Sequence, residues 1–145
     1  MNIGLILVTV AACGGAPHAI ADGRHFRLEV PPGVETQQTH LVLEGLTVPR
    51  NQPTILRAYA IAGDSSRIYL GSTAVPAVSE DSAGSTSVNV LRINVTEGLR
   101  KLRSLGGVGR EVDIEVSGYG AGGIRLPATA WFIRAARLVH PSPVP

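Results

Sequence analysis

The chain has 145 residues, of which 44% are hydrophobic and 17% are charged; this composition fits one folded domain and excludes a disordered chain. Its single Cys excludes an internal disulfide framework and a four-cysteine zinc site. The net charge is only +2, and the one basic cluster (Arg100, Lys101 and Arg103) contains no aromatic residue. We therefore expect no nucleic-acid partner.

The first residues resemble an export signal. Residues 3–12 (IGLILVTVAA) form an apolar run of signal-peptide length, too short to span a bilayer. Cys13 follows one aliphatic and two small residues, as in the lipobox of bacterial lipoproteins, so we expect Cys13 to be lipidated and to anchor the chain to a membrane. Two alternatives remain: cleavage after Ala21, at an A-x-A site, or an uncleaved chain whose apolar run is a β-strand.

The sequence therefore predicts three segments. Residues 1–21 are the leader and tether, residues 22–139 are the folded domain, and residues 140–145 are a proline-rich tail. Cleavage at either site would give an exported protein, either a lipoprotein of the cell envelope or a periplasmic or extracellular protein.

The first half of the domain has the alternating pattern of β-strands. Phe26, Leu28 and Val30 fall on one face of a strand over residues 25–30, which two prolines end. Further strands are predicted in the next fifty residues, over residues 39–46, 54–62 and 67–70. The last two would form a hairpin around the polar turn at residues 63–66.

One short helix follows a polar loop (residues 79–87) and a strand (residues 88–95). Thr96 is the predicted N-cap, and Leu99, Leu102 and Leu105 are predicted to line one face. Two glycines after Leu105 would end the helix. This places the basic cluster at the C-terminal end of a helix, where positive charge is stabilised without any ligand.

A strand over residues 111–117 is predicted next, with Val112, Ile114 and Val116 inward. The acidic residues between them, Glu111, Asp113 and Glu115, are predicted to face solvent. A glycine turn (residues 118–123) would carry Tyr119 at its tip, and Tyr119 is the side chain that we expect to contact a partner.

Two last strands are predicted over residues 124–126 and 129–136, with Trp131 and Phe132 in the core. About seven short strands with antiparallel alternation and no βαβ rhythm predict an all-β protein. The expected architecture is an antiparallel β-sandwich, immunoglobulin-like or related, with one short helix.

Sites of chemistry are hard to find in this pattern. The four histidines (His18, His25, His40 and His140) lack metal-ligand spacing, and no G-x-S-x-G motif is present. Cys13 lies in the leader rather than in the folded domain. We expect no catalytic residue, no metal and no cofactor, and hence a non-enzymatic protein.

The order of these motifs resembles a known domain. The segments that carry the resemblance are RIYLGS at 67–72, VNVLRINVTEGLRKL at 88–102, EVDIEV at 111–116 and IRL at 124–126. Together they are similar to the C-terminal β-sandwich domain of tyrosinases and plant-type polyphenol oxidases, over residues 26–137. In that family a separate helical domain binds copper through six histidines, and the sandwich covers the copper site.

The resemblance implies an accessory role. The partner that it implies is a type 3 copper oxidase, which the module would bind or shield. The alternative is a free-standing sandwich that binds a small ligand or a carbohydrate. Carbohydrate binding needs an exposed aromatic platform, and the chain has only six aromatic residues.

Overall fold

The computed structural model describes residues 23–79, 81 and 83–141. Seven β-strands and one α-helix lie within these residues. In chain order they are β1 (Gly23–Glu29), β2 (His40–Pro49), β3 (Thr54–Ile61), β4 (Arg67–Val75), β5 (Ser85–Asn94), α1 (Thr96–Ser104), β6 (Glu111–Tyr119) and β7 (Phe132–Val139). The predicted lipidation site Cys13, the cleavage site after Ala21 and the end of the tail lie outside the described residues.

The strands form two antiparallel sheets packed face to face. One sheet has the order β1-β6-β3-β4, and the other has the order β5-β2-β7. The apolar sides of both sheets share one core with helix α1. The predicted all-β sandwich of seven strands with one short helix is confirmed.

Because side chains alternate along a strand, each strand contributes one set of residues to the core and the other set to the outer face of its sheet. In β3, Leu56, Ala58 and Ala60 are fully buried, whereas Arg57 and Tyr59 point away from the core. Strand β6 follows the same rule, because its three inward residues (Val112, Ile114 and Val116) are buried as predicted.

Helix α1 differs from the prediction at both ends. Thr96 is the first helical residue rather than the N-cap, and its N–H donates to Oδ1 of Asn94. The Thr96 hydroxyl is occupied elsewhere, since it accepts a hydrogen bond from the backbone N–H of Thr39. Leu105 lies beyond the helix and is 66% exposed, so its predicted place on the buried face is wrong.

The C-terminal end of α1 confirms the predicted glycine stop. Gly106 has a φ of 77°, in the left-handed region that favours glycine, and Gly107 donates its N–H to the carbonyl of Leu102. Leu99 and Leu102 are buried as predicted. At Gly98 the helix lies directly against β4, because a Cβ there would be 2.5 Å from the Cα of Leu70.

The last strands are also placed differently. Residues 124–126 form only a single bridge, between Arg125 and Tyr119, and β7 starts at Phe132, beyond the turn that follows Pro127. Trp131 is in the core, but Phe132 is 52% exposed. The prediction for Phe132 is therefore wrong, since neighbouring residues of an extended chain point to opposite faces.

Candidate functional site

The outer face of the four-stranded sheet carries a cluster of charged, hydroxyl and aromatic side chains. We call this the arginine–tyrosine face. It consists of Arg57, Tyr59, Arg67, Glu115, Tyr119 and Arg125, with His25, Tyr69 and Ser117 at its margins. The strand register brings them together, because Tyr59 pairs with both Glu115 and Tyr69, and Arg57 pairs with Ser117.

Glu115 lies at the centre of this face and is only 3% exposed. The prediction that it faces solvent is therefore wrong, although Glu111 and Asp113 on the same strand are exposed as expected. The difference arises from the covering side chains. Oε1 of Glu115 lies 2.5 Å from Nη2 of Arg67, an ion-pair distance without good hydrogen-bond geometry.

The second carboxylate oxygen of Glu115 is shared. It lies 3.5 Å from Nε2 of His25 and 3.8 Å from Nη2 of Arg125. Room for the carboxylate comes from Gly23, where a Cβ would be 2.8 Å from the same oxygen. The buried charge is thus compensated by the guanidinium groups of Arg67 and Arg125, and the His25 ring lies on the same oxygen as Arg125.

Ser117 extends this network along strand β6. Its side chain is fully buried, and its hydroxyl oxygen accepts hydrogen bonds from Nη2 of Arg125 at 3.1 Å and Nη2 of Arg67 at 3.4 Å. The same two guanidinium groups therefore contact both Glu115 and Ser117, which fixes their position above the sheet.

Two arginines of the face also lie over aromatic rings. The guanidinium of Arg67 is 4.0 Å from the ring centroid of Tyr59, and that of Arg57 is 4.5 Å from the ring centroid of Tyr119. Tyr69 is 53% exposed and contacts Tyr59 edge to face at 5.9 Å. The rings act as supports for the charged groups.

The positive charge of this face acts on its tyrosines. Burial and a hydroxyl interaction with Tyr119 raise the pKa of Tyr59. Burial alone would also raise the pKa of Tyr119, but the Tyr59 hydroxyl and the charges of Arg125, Arg67 and Arg57 outweigh burial and lower the pKa of Tyr119. The phenolate of Tyr119 is stabilised first by the Tyr59 hydroxyl and then by the three arginine charges.

Tyr119, the predicted partner-contacting residue, belongs to this face. It is the last residue of β6 and is half-buried, whereas the turn itself is formed by Ala121–Gly123. Its place differs from the predicted turn tip, and its contact with a partner stays a prediction.

Sequence reasoning missed Arg57, Tyr59, Arg67 and Arg125 as members of one site. A signal was present for most of them: the hairpin strands carry R-A-Y at 57–59 and R-I-Y at 67–69. An Arg-x-Tyr spacing puts the Arg and Tyr of each strand on one face, and the pairing of Tyr59 with Tyr69 makes it the same face for both strands. Arg125 follows the glycine turn and carried no such signal.

The basic cluster on the helix has structural partners. Arg103 forms an ion pair with Glu35 at 2.6 Å, and Arg100 bonds the carbonyl of Val34 and the carboxylate of Glu97. These contacts tie the helix to the loop between β1 and β2, which agrees with a role in the fold rather than in ligand binding.

The described histidines are well separated. His25 lies beside Glu115, and both ring nitrogens of His140 face carbonyl oxygens, those of Gln38 and Pro32. Within residues 23–79, 81 and 83–141, no group of three or more potential ligands could hold a metal ion. No helix among these residues is long and apolar enough to cross a membrane.

Comparisons with known proteins bear on the fold. No protein family profile matches the chain, and no curated protein matches it. Among solved structures, the chain is similar to latent aurone synthase (polyphenol oxidase) from natural source, with 10% sequence identity and a TM-score of 0.54. The match covers 87% of this chain and 26% of that one. The chain therefore shares its fold with a segment of a polyphenol oxidase, as the resemblance implied.

Proposed function

We propose that this chain is a non-enzymatic β-sandwich module that binds and shields a partner protein, and that the partner is a type 3 copper oxidase. The observation that carries the proposal is the fold match, which includes 87% of this chain but only about a quarter (26%) of a polyphenol oxidase. Because a segment of the oxidase has the fold of this chain, the match supports the accessory role that the resemblance implies.

The proposal includes export and anchoring. The apolar run at 3–12 and the lipobox-like residues before Cys13 support a lipoprotein of the cell envelope, held to the membrane by a lipid on Cys13. Two residues of the folded part then serve the partner in different ways. Tyr119 contributes contact area, and Glu115 holds the surrounding cations in place.

A second candidate function is carbohydrate binding. Tyr69 supports it, because an exposed aromatic ring on a sheet face can stack against a sugar. Tyr59 and Tyr119 offer less, since guanidinium groups lie over both rings. Partner-protein binding is therefore the better supported function.

The test starts from the full-length chain, tagged at its C-terminus and expressed in its native host. Proteins that co-purify from the membrane fraction are identified by mass spectrometry, together with the N-terminus of the bait. We expect a copper oxidase in the eluate and a diacylated Cys13.

The captured oxidase is then assayed for oxidation of an ortho-diphenol with increasing amounts of added chain. A saturable fall in the rate supports shielding. An unchanged rate, or an eluate without a copper oxidase, contradicts the proposed partner, and an N-terminus at Asp22 or Met1 contradicts lipidation.

A further inference from the structure

The arginine–tyrosine face carries more positive charge than the fold needs. The face carries three guanidinium groups, those of Arg57, Arg67 and Arg125, and one carboxylate, that of Glu115, so its arginines exceed its carboxylates by two. Arg67 and Arg125 compensate the buried Glu115, which accounts for their presence. Arg57 is the third cation of the face, and its charge is not compensated by Glu115.

Arg57 has no carboxylate within ion-pair distance among the described residues. Its guanidinium lies over the ring of Tyr119, and its strand neighbours on the same face are Ser117 and Ser72. Stacking on a ring leaves the edge of a guanidinium free to donate hydrogen bonds. The result is a positioned group of five donors whose neighbours carry hydroxyl groups rather than carboxylates.

The hydroxyls around Arg57 can accept hydrogen bonds but do not compensate its charge. The Tyr59 hydroxyl interacts with Arg57, and the charges of Arg125, Arg67 and Arg57 add to the Tyr59 hydroxyl in lowering the pKa of Tyr119. A donor-rich, positively charged surface is complementary to a ligand rich in carboxylate oxygens.

We propose that the arginine–tyrosine face binds an acidic segment of the partner protein, and that the edge of the Arg57 guanidinium holds one of its carboxylates in a bidentate contact. The proposal rests on the proposed function, since it names the surface through which the module contacts its partner. An acidic peptide fits better than an acidic polysaccharide, because Arg67 and Arg57 cover the rings on which sugars would stack.

The test is a titration of isotopically labelled full-length chain, in mild detergent, with a synthetic peptide of alternating Glu and Ser. A peptide of alternating Gln and Ser is the control ligand. We expect saturable NMR shifts confined to amides of β3, β4 and β6, and weaker binding as salt is added. The Gln peptide should not bind.

Two matched variants locate the contact. Arg57→Gln removes the free cation of the face and should weaken binding of the Glu peptide about tenfold. Arg92→Gln removes an equally charged, exposed side chain on β5 of the other sheet and should leave the affinity unchanged. Trp131 fluorescence in each variant checks that the sandwich is intact.

Three results would overturn the inference: no saturable binding of the Glu peptide, an equal loss in both arginine variants, or preferential binding of polygalacturonate over the peptide. Its failure is distinguishable from failure of the proposed function. If wild type and Arg57→Gln capture the native oxidase equally, the proposed partner is supported and the arginine–tyrosine face is not its binding surface.

Discussion

Replacing Glu115 by Gln should destabilise the protein, because it removes the carboxylate that compensates the guanidinium groups of Arg67 and Arg125. Losing one partner of a fully buried ion pair costs about 3–5 kcal/mol. The side chains of Arg67 and Arg125 are 38% and 32% exposed, so water recovers part of this energy once Glu115 is gone. We therefore expect the free energy of unfolding to fall by about 2 kcal/mol, reduced from that range for solvent exposure.

The assay is urea unfolding followed by fluorescence of Trp131, the only tryptophan in the chain, which is 2% exposed. The control is Glu111→Gln on the same strand and face. Its side chain is 48% exposed and pairs with Arg27 at the surface, so its loss should cost less than about 0.5 kcal/mol. Equal effects of the two substitutions, or an unchanged stability in Glu115→Gln, would refute the idea that Glu115 organises the face.

Three further predictions concern the helix and Tyr119. Leu102→Ala should lower the free energy of unfolding by about 3 kcal/mol and Leu105→Ala by less than about 0.5 kcal/mol, because only Leu102 is buried; similar values in urea unfolding would contradict the described helix end. Gly98→Ala should destabilise by about 1–2 kcal/mol despite a better helix propensity, since its Cβ would overlap the backbone of Leu70; a stabilised variant would show that α1 does not pack against β4 so closely. Because the pKa of Tyr119 is lowered, its phenolate forms at lower pH than that of an ordinary tyrosine, and Tyr119→Phe should move the start of the ultraviolet absorbance titration to higher pH. An unchanged titration curve would contradict a lowered pKa for Tyr119.

Periodicity was sufficient to predict the strands and their inward faces. Alternation in β6 identifies Val112, Ile114 and Val116 as core, because burial of one sheet face is encoded residue by residue. The same rule failed at Glu115, where alternation gives the correct face but not its burial. Glu115 is covered by Arg67 of β4 and by Arg125, which the turn after Tyr119 brings over β6, and no local pattern encodes such contacts.

The local sequence pattern also did not predict where helix α1 and strand β7 begin. Thr96 has the residue type of an N-cap, but its hydroxyl bonds the backbone of Thr39, a residue far away in sequence. The start of β7 is set by its pairing with β2, with Phe132 opposite Thr47. Tertiary pairing thus decides the boundaries that propensity leaves open.

The partner-binding face can be tested most directly by hydroxyl-radical footprinting of the chain alone and in complex with its captured partner. Tyr69 and Phe132 are matched probes, since they are 53% and 52% exposed and lie on different sheets. We predict that the partner protects Tyr69, at the margin of the arginine–tyrosine face, and leaves Phe132 as reactive as in the free chain. Protection of Phe132 with Tyr69 unchanged would contradict the account and assign the partner to the other sheet.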